Sequence, residues 1–544
     1  MKKRAKYVAP TTDTEKQLAG IWSDILKIPA SKIGIHDSFF DMGGDSLMAI
    51  QFVCEAEEQG IHFSTDTLFT NKTIADLTKA ANDNPLEKID IDQAPVSGSY
   101  PLLPRQSKLF ADDFKYPAYW NRNFLFDIDH DARFEHLTAA FDAVLMHHDN
   151  LRIDFSPDAD GKRVQNVAAT LPTANYTQSH DLSALSPSDQ EAKIVDLSNA
   201  AHADLDLDTA PLIRILHFKT AENAGKLGII IHHLLLDIVA SRIIFEDFLK
   251  SYEALRLGVD MPLAPKTTSA KEWSEYLAAQ ATTADFTEEL AYWANDTMRP
   301  TPAVPVDHPD AKIGLESTCA QEKLILDKAT TDALLRDIPT AYSVNIQDIL
   351  LAALLQTTTA WTADNQLLVN ICGHGRDGTA QHNLARTAAW LNTTFPVYLK
   401  SAANQDNQSF IQDVSAQINA VPKNNAHYNL LRYTAEHPEI KQYPTPEIFF
   451  NYVSQIDALL PEGLSFTPIP DPKGIAVSHG DNHLCYLLYL EAGVMNKRLN
   501  IHTTYSSSYF DAETIRDFNA IFKDKITKIV KDLQQTETAL SAAE

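Results

Sequence analysis

Cysteine is scarce in this sequence, with four among 544 residues. Cys54, Cys319, Cys372 and Cys485 are far apart and form no C-x-x-C pair, so they provide neither the density of a disulfide framework nor the spacing of a zinc or redox site. Long apolar runs are also missing. No stretch approaches the roughly 20 residues that cross a bilayer, and the N-terminus lacks the apolar core of a signal peptide. We therefore predict a cytoplasmic protein with no membrane contact.

Basic residues are outnumbered by acidic ones. The 46 lysines and arginines face 72 aspartates and glutamates, which gives a formal net charge of -26 at pH 7. This balance argues against nucleic acids and anionic membranes as partners, because both reward a basic face. At 544 residues the chain also exceeds the size at which one hydrophobic core keeps growing, so at least two packed units are expected.

The N-terminal part of the chain is patterned as a small helical unit. Apolar residues recur at helical spacing over 13–26 and again over 46–56, and a shorter helix is predicted over 74–81. An Asn-Asp-Asn-Pro break and a polar stretch without periodicity follow. We assign 10–82 to this first domain and 83–99 to a linker.

The remainder of the chain, 100–540, mixes two kinds of pattern. Short β-rich runs such as 227–231 and 367–371 alternate with long helical patterns, which indicates an α/β class. About 440 residues are too many for one core, so two lobes are predicted, an N-lobe over about 100–275 and a C-lobe over about 276–540.

The sequence around Ser46 suits a modified hydroxyl. The segment 37–47, Asp-Ser-Phe-Phe-Asp-Met-Gly-Gly-Asp-Ser-Leu, places two glycines and an acidic residue directly before this serine, at the start of a predicted helix. Gly43 and Gly44 permit a tight, exposed turn, and a helix N-terminus offers free backbone N–H groups to a phosphodiester. On these grounds alone, the interpretation of Ser46 as no more than the N-cap of the helix is favoured.

The same segment resembles the attachment motif of peptidyl carrier domains, in which the serine receives a 4′-phosphopantetheine arm. The resemblance implies a small all-α carrier domain of four helices, with Ser46 as its attachment residue and a phosphopantetheinyl transferase as a partner. Asp45, directly before the serine, resembles carriers that precede epimerization domains.

Adjacent histidines mark a second candidate site. An apolar strand pattern ends in Ile-His-His-Leu-Leu-Leu-Asp over 231–237, and a helical run follows. A histidine such as His233 can take or give a proton near neutrality if another group orients it, and Asp237 is a candidate organiser. The alternative is that His232 and His233 are hydrogen-bonded structural residues. A metal site is not expected, because adjacent histidines at a strand end seldom converge on one ion.

This segment resembles the HHxxxD core of the condensation superfamily, and further stretches fall in the order found in epimerization domains. These stretches are Ser241–Asp247, Lys266–Ser269 with Trp273, Pro305–Pro309, Gly373–Arg376, Arg386–Thr387 with Trp390, Phe395–Pro396, and Phe450–Tyr452 with Gln455. The resemblance covers nearly the whole chain and identifies it as a carrier–epimerization didomain of a nonribosomal peptide synthetase. It implies two chloramphenicol-acetyltransferase-like lobes in a V, with the active site in a tunnel between them.

The family also implies roles for individual residues. His233 would be the main acid/base group, while His232 and Asp237 would hold the loop. Asn451 and Tyr452 would line the substrate end of the tunnel, and Arg242 would pair with an acidic group there. The only prosthetic group implied is 4′-phosphopantetheine; no metal, nucleotide or redox cofactor is expected.

One position departs from the family in a way that bears on catalysis. Epimerization domains typically have a glutamate directly before the Gly-His-Gly-Arg stretch, and this chain has Cys372 there. Inverting a stereocentre needs proton removal from one face and delivery to the other. A thiol can serve as one of the two proton-transfer groups, although a buried cysteine is most often an inert small hydrophobe. Ile238, the Ala240-Ser241 pair and Ala389 are further departures that alter bulk near the expected tunnel.

The function implied by the resemblance is epimerization. The carrier would hold an aminoacyl or peptidyl thioester, and the second domain would invert its α-carbon from L to D by removing and returning a proton. Its partners would include an upstream adenylation domain and a downstream condensation domain. The opening Lys-Lys-Arg-Ala-Lys resembles the tail of an adenylation domain, so we expect a didomain excised from a longer synthetase.

Other functions remain open at this point. The domain could keep the fold but serve as a docking platform for a tailoring enzyme that acts in trans. Alternatively, His233 alone could remove the α-proton while a leaving group departs from the β-carbon, which needs only one base. Amide-bond formation uses the same histidine motif, but the stretches 266–269 and 450–455 resemble the epimerizing branch, so we rank it last.

Overall fold

The chain folds into a helical N-terminal domain and a larger mixed α/β domain. The structure is a computed structural model. It describes residues 7–63, 65–83, 90–129, 131–173, 175–220, 224–298, 304–311, 314–379, 381–402, 404–455 and 466–543. The predicted linker 83–99 lies partly outside the described residues.

The described part of the N-terminal domain contains four α-helices, as the resemblance implied. They are α1 (Asp13–Leu26), α2 (Ser46–Glu58), α3 (Thr65–Thr70) and α4 (Ile74–Asp83). The helices predicted over 13–26, 46–56 and 74–81 are confirmed. Thr12 caps α1 in a reciprocal capping box with Glu15, and the apolar face of the helix buries Trp22 completely.

The larger domain alternates helices and strands. Its helices are α5 (Pro104–Ala111), α6 (Phe134–His147), α7 (Pro187–Ala203), α8 (Ile238–Leu257), α9 (Ala270–Thr283), α10 (Thr287–Trp293), α11 (Lys328–Asp332), α12 (Ile338–Tyr342), α13 (Ile346–Thr362), α14 (Asn407–Asn419), α15 (Ala426–Asn429), α16 (Pro438–Lys441) and α17 (Ala512–Ala543). Its strands are β1 (Gly98–Tyr100), β2 (Asn121–Asp129), β3 (Ile153–Asp154), β4 (Gln165–Val167), β5 (Thr177–Asp181), β6 (Ile213–Lys219), β7 (Ala224–His232), β8 (Cys319–Ile325), β9 (Gln366–Gly373), β10 (Thr393–Lys400), β11 (Ile448–Gln455), β12 (Phe466–Ile469), β13 (Leu488–Met495) and β14 (Arg498–Ser506). The runs 227–231 and 367–371 are strands, as predicted.

Two large sheets form the two lobes. The N-lobe sheet has the order β12-β2-β7-β6-β5, and the C-lobe sheet has the order β10-β9-β11-β13-β14-β8. A small third sheet has the order β1-β4-β3. Strand β12 comes from the C-terminal half of the chain but pairs antiparallel with β2, so it completes the edge of the N-lobe sheet.

Each lobe has its own apolar core. The C-lobe core surrounds α13, whose leucines Leu350, Leu351, Leu354 and Leu355 are all fully buried. A second continuous cluster of buried side chains runs through both the helical domain and the N-lobe. The helical domain is therefore packed against the larger domain.

In the part of the chain that the structure describes, no single helix is long and apolar enough to cross a membrane. One helix pair, Lys328–Tyr342 with Ile346–Thr362, passes the same test together but is bent by 98°.

Candidate active site

Ser46 is the first residue of α2, and its side chain is exposed. The helix is capped by Asp45, whose Oδ1 accepts hydrogen bonds from the backbone N–H groups of Leu47 and Met48 at 3.0 and 3.1 Å. Asp45 therefore takes the N-cap role that sequence reasoning left open for Ser46. The serine hydroxyl is left free at the positive end of a helix, where a phosphodiester is stabilised.

The turn before the serine depends on glycine. Gly43 has a φ of +99°, in the region that disfavours L side chains. A Cβ on Gly44 would lie 2.4 Å from the ring of Phe39. These two residues let the chain pass closely over a buried phenylalanine and present Ser46 outward.

The serine turn docks onto the end of β11 in the larger domain. The Ser454 hydroxyl donates to Oδ2 of Asp45, and the side-chain amide of Gln455 donates to the carbonyl oxygen of Gly43 at 3.1 Å. Asp45 thus caps α2 with one oxygen and contacts the larger domain with the other. This double use gives a physical reason for an aspartate directly before the serine.

The other end of α2 is held by a second set of contacts. The Asn383 amide donates to the carboxylate of Glu57 at 2.8 Å, and Arg386 lies 3.6 Å from the carboxylate of Glu58. Helix α2 is therefore fixed at both ends.

Replacing Ser454 with alanine should loosen this docking. The change removes a hydrogen bond to a charged group, which typically contributes about 1.5–3 kcal/mol. Burial already raises the pKa of Asp45, and this hydrogen bond is the main contact that opposes the shift. We expect the N-terminal domain to undock more often, which amide hydrogen exchange across α2 would report as faster exchange. The matched control is Ser188→Ala on the exposed surface of α7. Equal exchange in the two variants would contradict the prediction.

His233 lies at the junction between β7 and α8, as the pattern predicted. Its imidazole packs against the faces of both Trp120 and Trp390, with centroid distances of 4.4 and 4.8 Å. Nδ1 lies 3.0 Å from the carbonyl oxygen of Leu236, which can only accept, so Nδ1 carries the proton. Nε2 is therefore the nitrogen with a free electron pair.

The surroundings of His233 keep the imidazole neutral. Burial lowers its pKa well below the usual 6.5, and the positive charges of Arg122 and Arg105 lower it further. The guanidinium of Arg122 lies 2.9 Å from Nε2. A neutral imidazole with Nε2 unprotonated is the form that can remove a proton.

Cys372 lies near the end of β9 and is half-buried. Burial raises the pKa of its thiol to about 12, although Arg105 opposes the shift. The Asn392 amide donates to its sulfur at 3.4 Å. The thiol is therefore protonated at neutral pH, so it can deliver a proton but is a poor base.

The segment 390–392 connects these two groups. Trp390 stacks on His233, and Asn392, two residues later, contacts Cys372. Arg105 also acts on both, since its charge lowers the pKa of His233 and of Cys372. One group that can accept a proton and one that can donate it therefore lie around the same short segment.

Asp237 organises this region by connecting the two lobes. Its carboxylate forms a fully buried bidentate ion pair with Arg376, with both distances at 2.8 Å. It also accepts from the backbone N–H groups of Leu391 and Asn392 and from Ala240 at the start of α8. Asp237 thus positions the segment that bears on both His233 and Cys372, although it does not contact the imidazole of His233 through any described hydrogen bond.

The neighbouring His232 has both ring nitrogens occupied by backbone groups. Nε2 lies 2.8 Å from the carbonyl oxygen of Pro117, and Nδ1 accepts from the N–H of Leu234 at 3.1 Å. Burial lowers its pKa to about 4. These contacts fit a residue that holds the loop.

The residues expected along the tunnel are divided between two places. Asn451 and Tyr452 lie on β11, just before the docking residue Ser454, and the negative charge of Asp45 adds to the burial that raises the pKa of Tyr452. Arg242 pairs with an acidic group, Glu246 at 3.2 Å, but away from the substrate end where this pairing was predicted.

The ion pair between Arg242 and Glu246 lies on α8, on the side that faces the N-terminal domain. Its charge acts on the buried Cys54 and on Glu55 of α2. No described contact connects Arg242 with Asn451 or Tyr452.

The residues that depart from the family pattern lie around the same loop. Ala240 and Ala389 are fully buried, and the carbonyl oxygen of Ala389 accepts from Arg376. The Ser241 hydroxyl donates to the carbonyl oxygen of Asp237. Ile238 is 36% exposed at the start of α8.

One described group of side chains has the geometry of a metal site. His147, His148 and Asp247 bring three potential ligand atoms within 4.8 Å of one another. However, Arg386 donates to Asp247 at 2.7 Å. Burial raises the pKa of Asp247, but the hydrogen bond from His148 and the charge of Arg386 outweigh it and lower the pKa to about 2. The cluster already holds a cationic partner, so it connects α8 to the C-lobe rather than offering a cation site.

Sequence reasoning missed four residues of the site: Trp120, Arg122, Arg105 and Asn392. Arg122 belongs to β2, whose alternating pattern predicts only its pleat, and Trp120 directly precedes that strand. Arg105 and Asn392 are far apart in the sequence of the domain. Since their proximity arises from tertiary packing, no local signal could have identified them.

Two known families match the chain. The condensation domain matches residues 96–544, and the phosphopantetheine attachment site matches residues 16–81. Chondramide synthase cmdD of Chondromyces crocatus is 32% identical over 96% of this chain, and tyrocidine synthase 2 of Brevibacillus parabrevis is 29% identical over 98%. The chain spans 13% and 15% of those two proteins.

Solved structures resemble the larger domain. The epimerization domain from the third module of tyrocidine synthetase B has a TM-score of 0.74 and 27% identity, covering 81% of this chain and 99% of that domain. The X-domain from teicoplanin biosynthesis has a TM-score of 0.63 at 15% identity, covering 82% of this chain and 97% of that domain, which shows a common fold.

Proposed function

This chain belongs to the condensation-domain family and carries a phosphopantetheine attachment domain ahead of it, and on that basis we propose that it epimerizes a residue tethered to its own carrier domain. The carrier-plus-epimerization architecture of nonribosomal peptide synthetases inferred from the motifs is confirmed. The fold of two chloramphenicol-acetyltransferase-like lobes after a helical carrier domain is confirmed as well.

The carrier domain holds 4′-phosphopantetheine, and its residues fit that group. Ser46 is exposed at a helix N-terminus, and Asp45 rather than Ser46 makes the cap. When bound, the arm carries the aminoacyl or peptidyl group as a thioester, whose carbonyl acidifies the neighbouring C–H bond. Docking of the serine turn at Ser454 and Gln455 directs this attachment point toward the end of β11.

The observation that carries the proposal is that one side chain at this site, His233, can accept a proton while another, Cys372, can donate one. His233 has an unprotonated Nε2, which accepts the α-proton of the L residue as its C–H electron pair moves toward the thioester carbonyl. Cys372 holds a protonated thiol, which delivers a proton to the opposite face and becomes a thiolate. Proton exchange with solvent then restores both groups. One acceptor and one donor around the segment 390–392 support this proposal, because inversion needs one group to remove a proton and another to deliver one.

The test uses the whole chain in deuterated water. A phosphopantetheinyl transferase and a panel of L-aminoacyl coenzyme A thioesters load Ser46, and the released residue is analysed for mass and chirality. We expect one deuterium at the α-carbon and a mixture of L and D forms. The control is mock-loaded Ser46→Ala protein mixed with free L-aminoacyl pantetheine. No exchange above a heat-treated sample across the panel would reject the proposal.

The same measurement separates the competing functions. Loss of a small molecule from the β-carbon would indicate elimination, which needs a single base and could be performed by His233 without Cys372. An unchanged substrate throughout the panel would favour a docking platform for a tailoring enzyme that acts in trans. We propose an upstream adenylation domain, a downstream condensation domain and a phosphopantetheinyl transferase as partners, all in the cytoplasm.

The rate of exchange should depend little on pH through the neutral range. His233 must be unprotonated, and its pKa lies well below 6.5, so the acid limb of the profile should fall below pH 6.5. Cys372 must be protonated, and its pKa of about 12 places the loss of the donor far above neutrality. A profile measured from pH 5 to pH 10, in buffers of constant ionic strength, checks this. A maximum confined near pH 7 would contradict it.

A further inference from the structure

Arg122 covers the reactive nitrogen of His233. It lies on β2, and its Nη2 atom is 2.9 Å from Nε2 of the imidazole. Because Nδ1 is committed to the carbonyl oxygen of Leu236, Nε2 is the only ring nitrogen that can receive a proton. The guanidinium therefore has to leave this position before His233 can act as a base.

Arg122 is free to move, since no other described side chain is bonded to it. Its side chain is exposed, and among the described residues it forms no ion pair. Arg105, the second cation near His233, is fixed by comparison. It donates to the Thr394 hydroxyl at 2.7 Å and lies over the ring of Trp390 at 5.0 Å.

The two guanidiniums place positive charge beside His233 in a protein with a net charge of -26. Arg105, like Arg122, forms no ion pair with a described carboxylate, and its Nε is buried without a hydrogen-bond partner. His233 and Cys372, the two groups between which a substrate would react, are both neutral. The carboxylates of Asp237 and Glu491 also act on Cys372, and Asp237 is already paired with Arg376. Two cations beside the reacting base stabilise negative charge that develops on a bound substrate.

The reaction proposed above creates such a charge. When the α C–H bond breaks, the proton forms an N–H bond with Nε2 and the electron pair moves onto the thioester carbonyl oxygen. That oxygen is bonded to the carbon next to the α-carbon, so it lies within a side chain's reach of Nε2. The new charge therefore appears close to the cation that Nε2 has just released.

We propose that Arg122 is a catalytic residue that moves from Nε2 of His233 to the substrate's thioester carbonyl oxygen and stabilises the negative charge that develops there. When Cys372 delivers its proton, the S–H bond breaks, the new C–H bond forms, and the carbonyl is restored. This role rests on the proposed epimerization.

The first test compares exchange rates in the full-length loaded protein. Arg122→Gln should slow deuterium incorporation by about 10²–10³-fold, the usual effect of removing one donor to a developing oxyanion. Arg122→Lys keeps the charge and should retain part of the rate. The matched control is Arg133→Gln, an exposed arginine just beyond β2, which should leave the rate unchanged.

A pH profile separates this role from a structural one. The charged groups that act on His233 are Arg122 from β2 and Arg105 from α5, and its flanking rings are the uncharged Trp120 and Trp390. Loss of Arg122 removes one of two charges that lower the pKa of His233. The acid limb of the pH–rate profile of Arg122→Gln should therefore move to higher pH. In a variant that only loosens the fold, the acid limb would stay at the same pH.

The second test does not depend on turnover. Ser46 is loaded with the arm from carboxymethyl coenzyme A, whose unreactive carboxylate stands in for the charged oxygen. The melting temperature of the wild-type protein should rise by roughly 2 °C or more over the form with an unacylated arm, and Arg122→Gln should lose this rise. Arg133→Gln should keep it.

Each outcome bears on one proposal. Equal rates for Arg122→Gln and Arg133→Gln would overturn the role of Arg122, because the guanidinium would then contribute nothing to the reaction. A faster rate in Arg122→Gln would overturn it as well, because the guanidinium would then only inhibit His233. If the wild-type protein exchanges no deuterium but shows the arginine-dependent rise in melting temperature, epimerization fails and the anion contact stands. If the carboxylate arm stabilises both proteins equally, the anion contact fails whatever the exchange rate.

Discussion

Replacing His233 with alanine should reduce the rate of α-deuterium incorporation by about 10²–10⁴-fold, the contribution expected of a positioned general base. The unprotonated Nε2 is the acceptor at this site, and Cys372, with its pKa raised to about 12, cannot replace it. Intact-protein mass spectrometry of the loaded chain in deuterated water measures the rate. His136→Gln, a histidine on α6 away from the site, is the matched control.

The Cys372→Ala variant should give a different result from His233→Ala. His233 can still remove the α-proton, exchange it for a deuteron from the solvent and return that deuteron to the same face, so deuterium should enter with the L configuration retained. Inversion should be lost because no donor serves the opposite face. Loss of exchange and inversion together in Cys372→Ala would contradict this division of roles, as would unchanged formation of the D form.

Replacing Asp237 with alanine should lower the free energy of unfolding by about 3–5 kcal/mol, because it leaves the buried Arg376 guanidinium without its counter-charge. Both side chains have 0% exposure, so water cannot compensate. Chemical denaturation followed by fluorescence would measure the loss. Asp377→Ala, next to Arg376 but partly exposed, should change stability by no more than about 0.5 kcal/mol.

A double variant tests whether the loss belongs to the pair. Asp237→Leu combined with Arg376→Met removes both charges and leaves none buried alone. It should be more stable than either single variant, since a buried ion pair can often be replaced by apolar groups at little cost. Additive losses would show that Asp237 contributes mainly through its backbone contacts to Leu391 and Asn392.

Local patterns in the sequence predicted the parts of the fold that local physics determines. The apolar spacing over 13–26 predicted α1, and the change from strand to helix pattern near residue 233 predicted the junction that carries His233. Helical and strand periods are set within a few turns of chain, so a single sequence reveals them. The order of motifs added the family and its two lobes.

Features that depend on distant contacts were not predictable in this way. Asp45 could be recognised as unusual, but its bond to Ser454 depends on how two domains dock. Arg122 carries no local signal, since one arginine on a strand is ordinary. Likewise, Cys372 could be placed by comparison with the family, but its protonation state follows from burial, which outweighs the opposing charge of Arg105, a residue distant in sequence.

The path of β12 sets the order in which the larger domain can be completed during synthesis. The edge of β2 receives its partner only when residues 466–469 have been made, long after the rest of the N-lobe sheet is available. Until then β2 presents unpaired backbone groups, the kind of open edge that recruits other chains. We therefore expect a truncation before β12 to give an aggregation-prone N-lobe rather than a separable half. The two lobes therefore have to be synthesised together to fold, even though each has its own core.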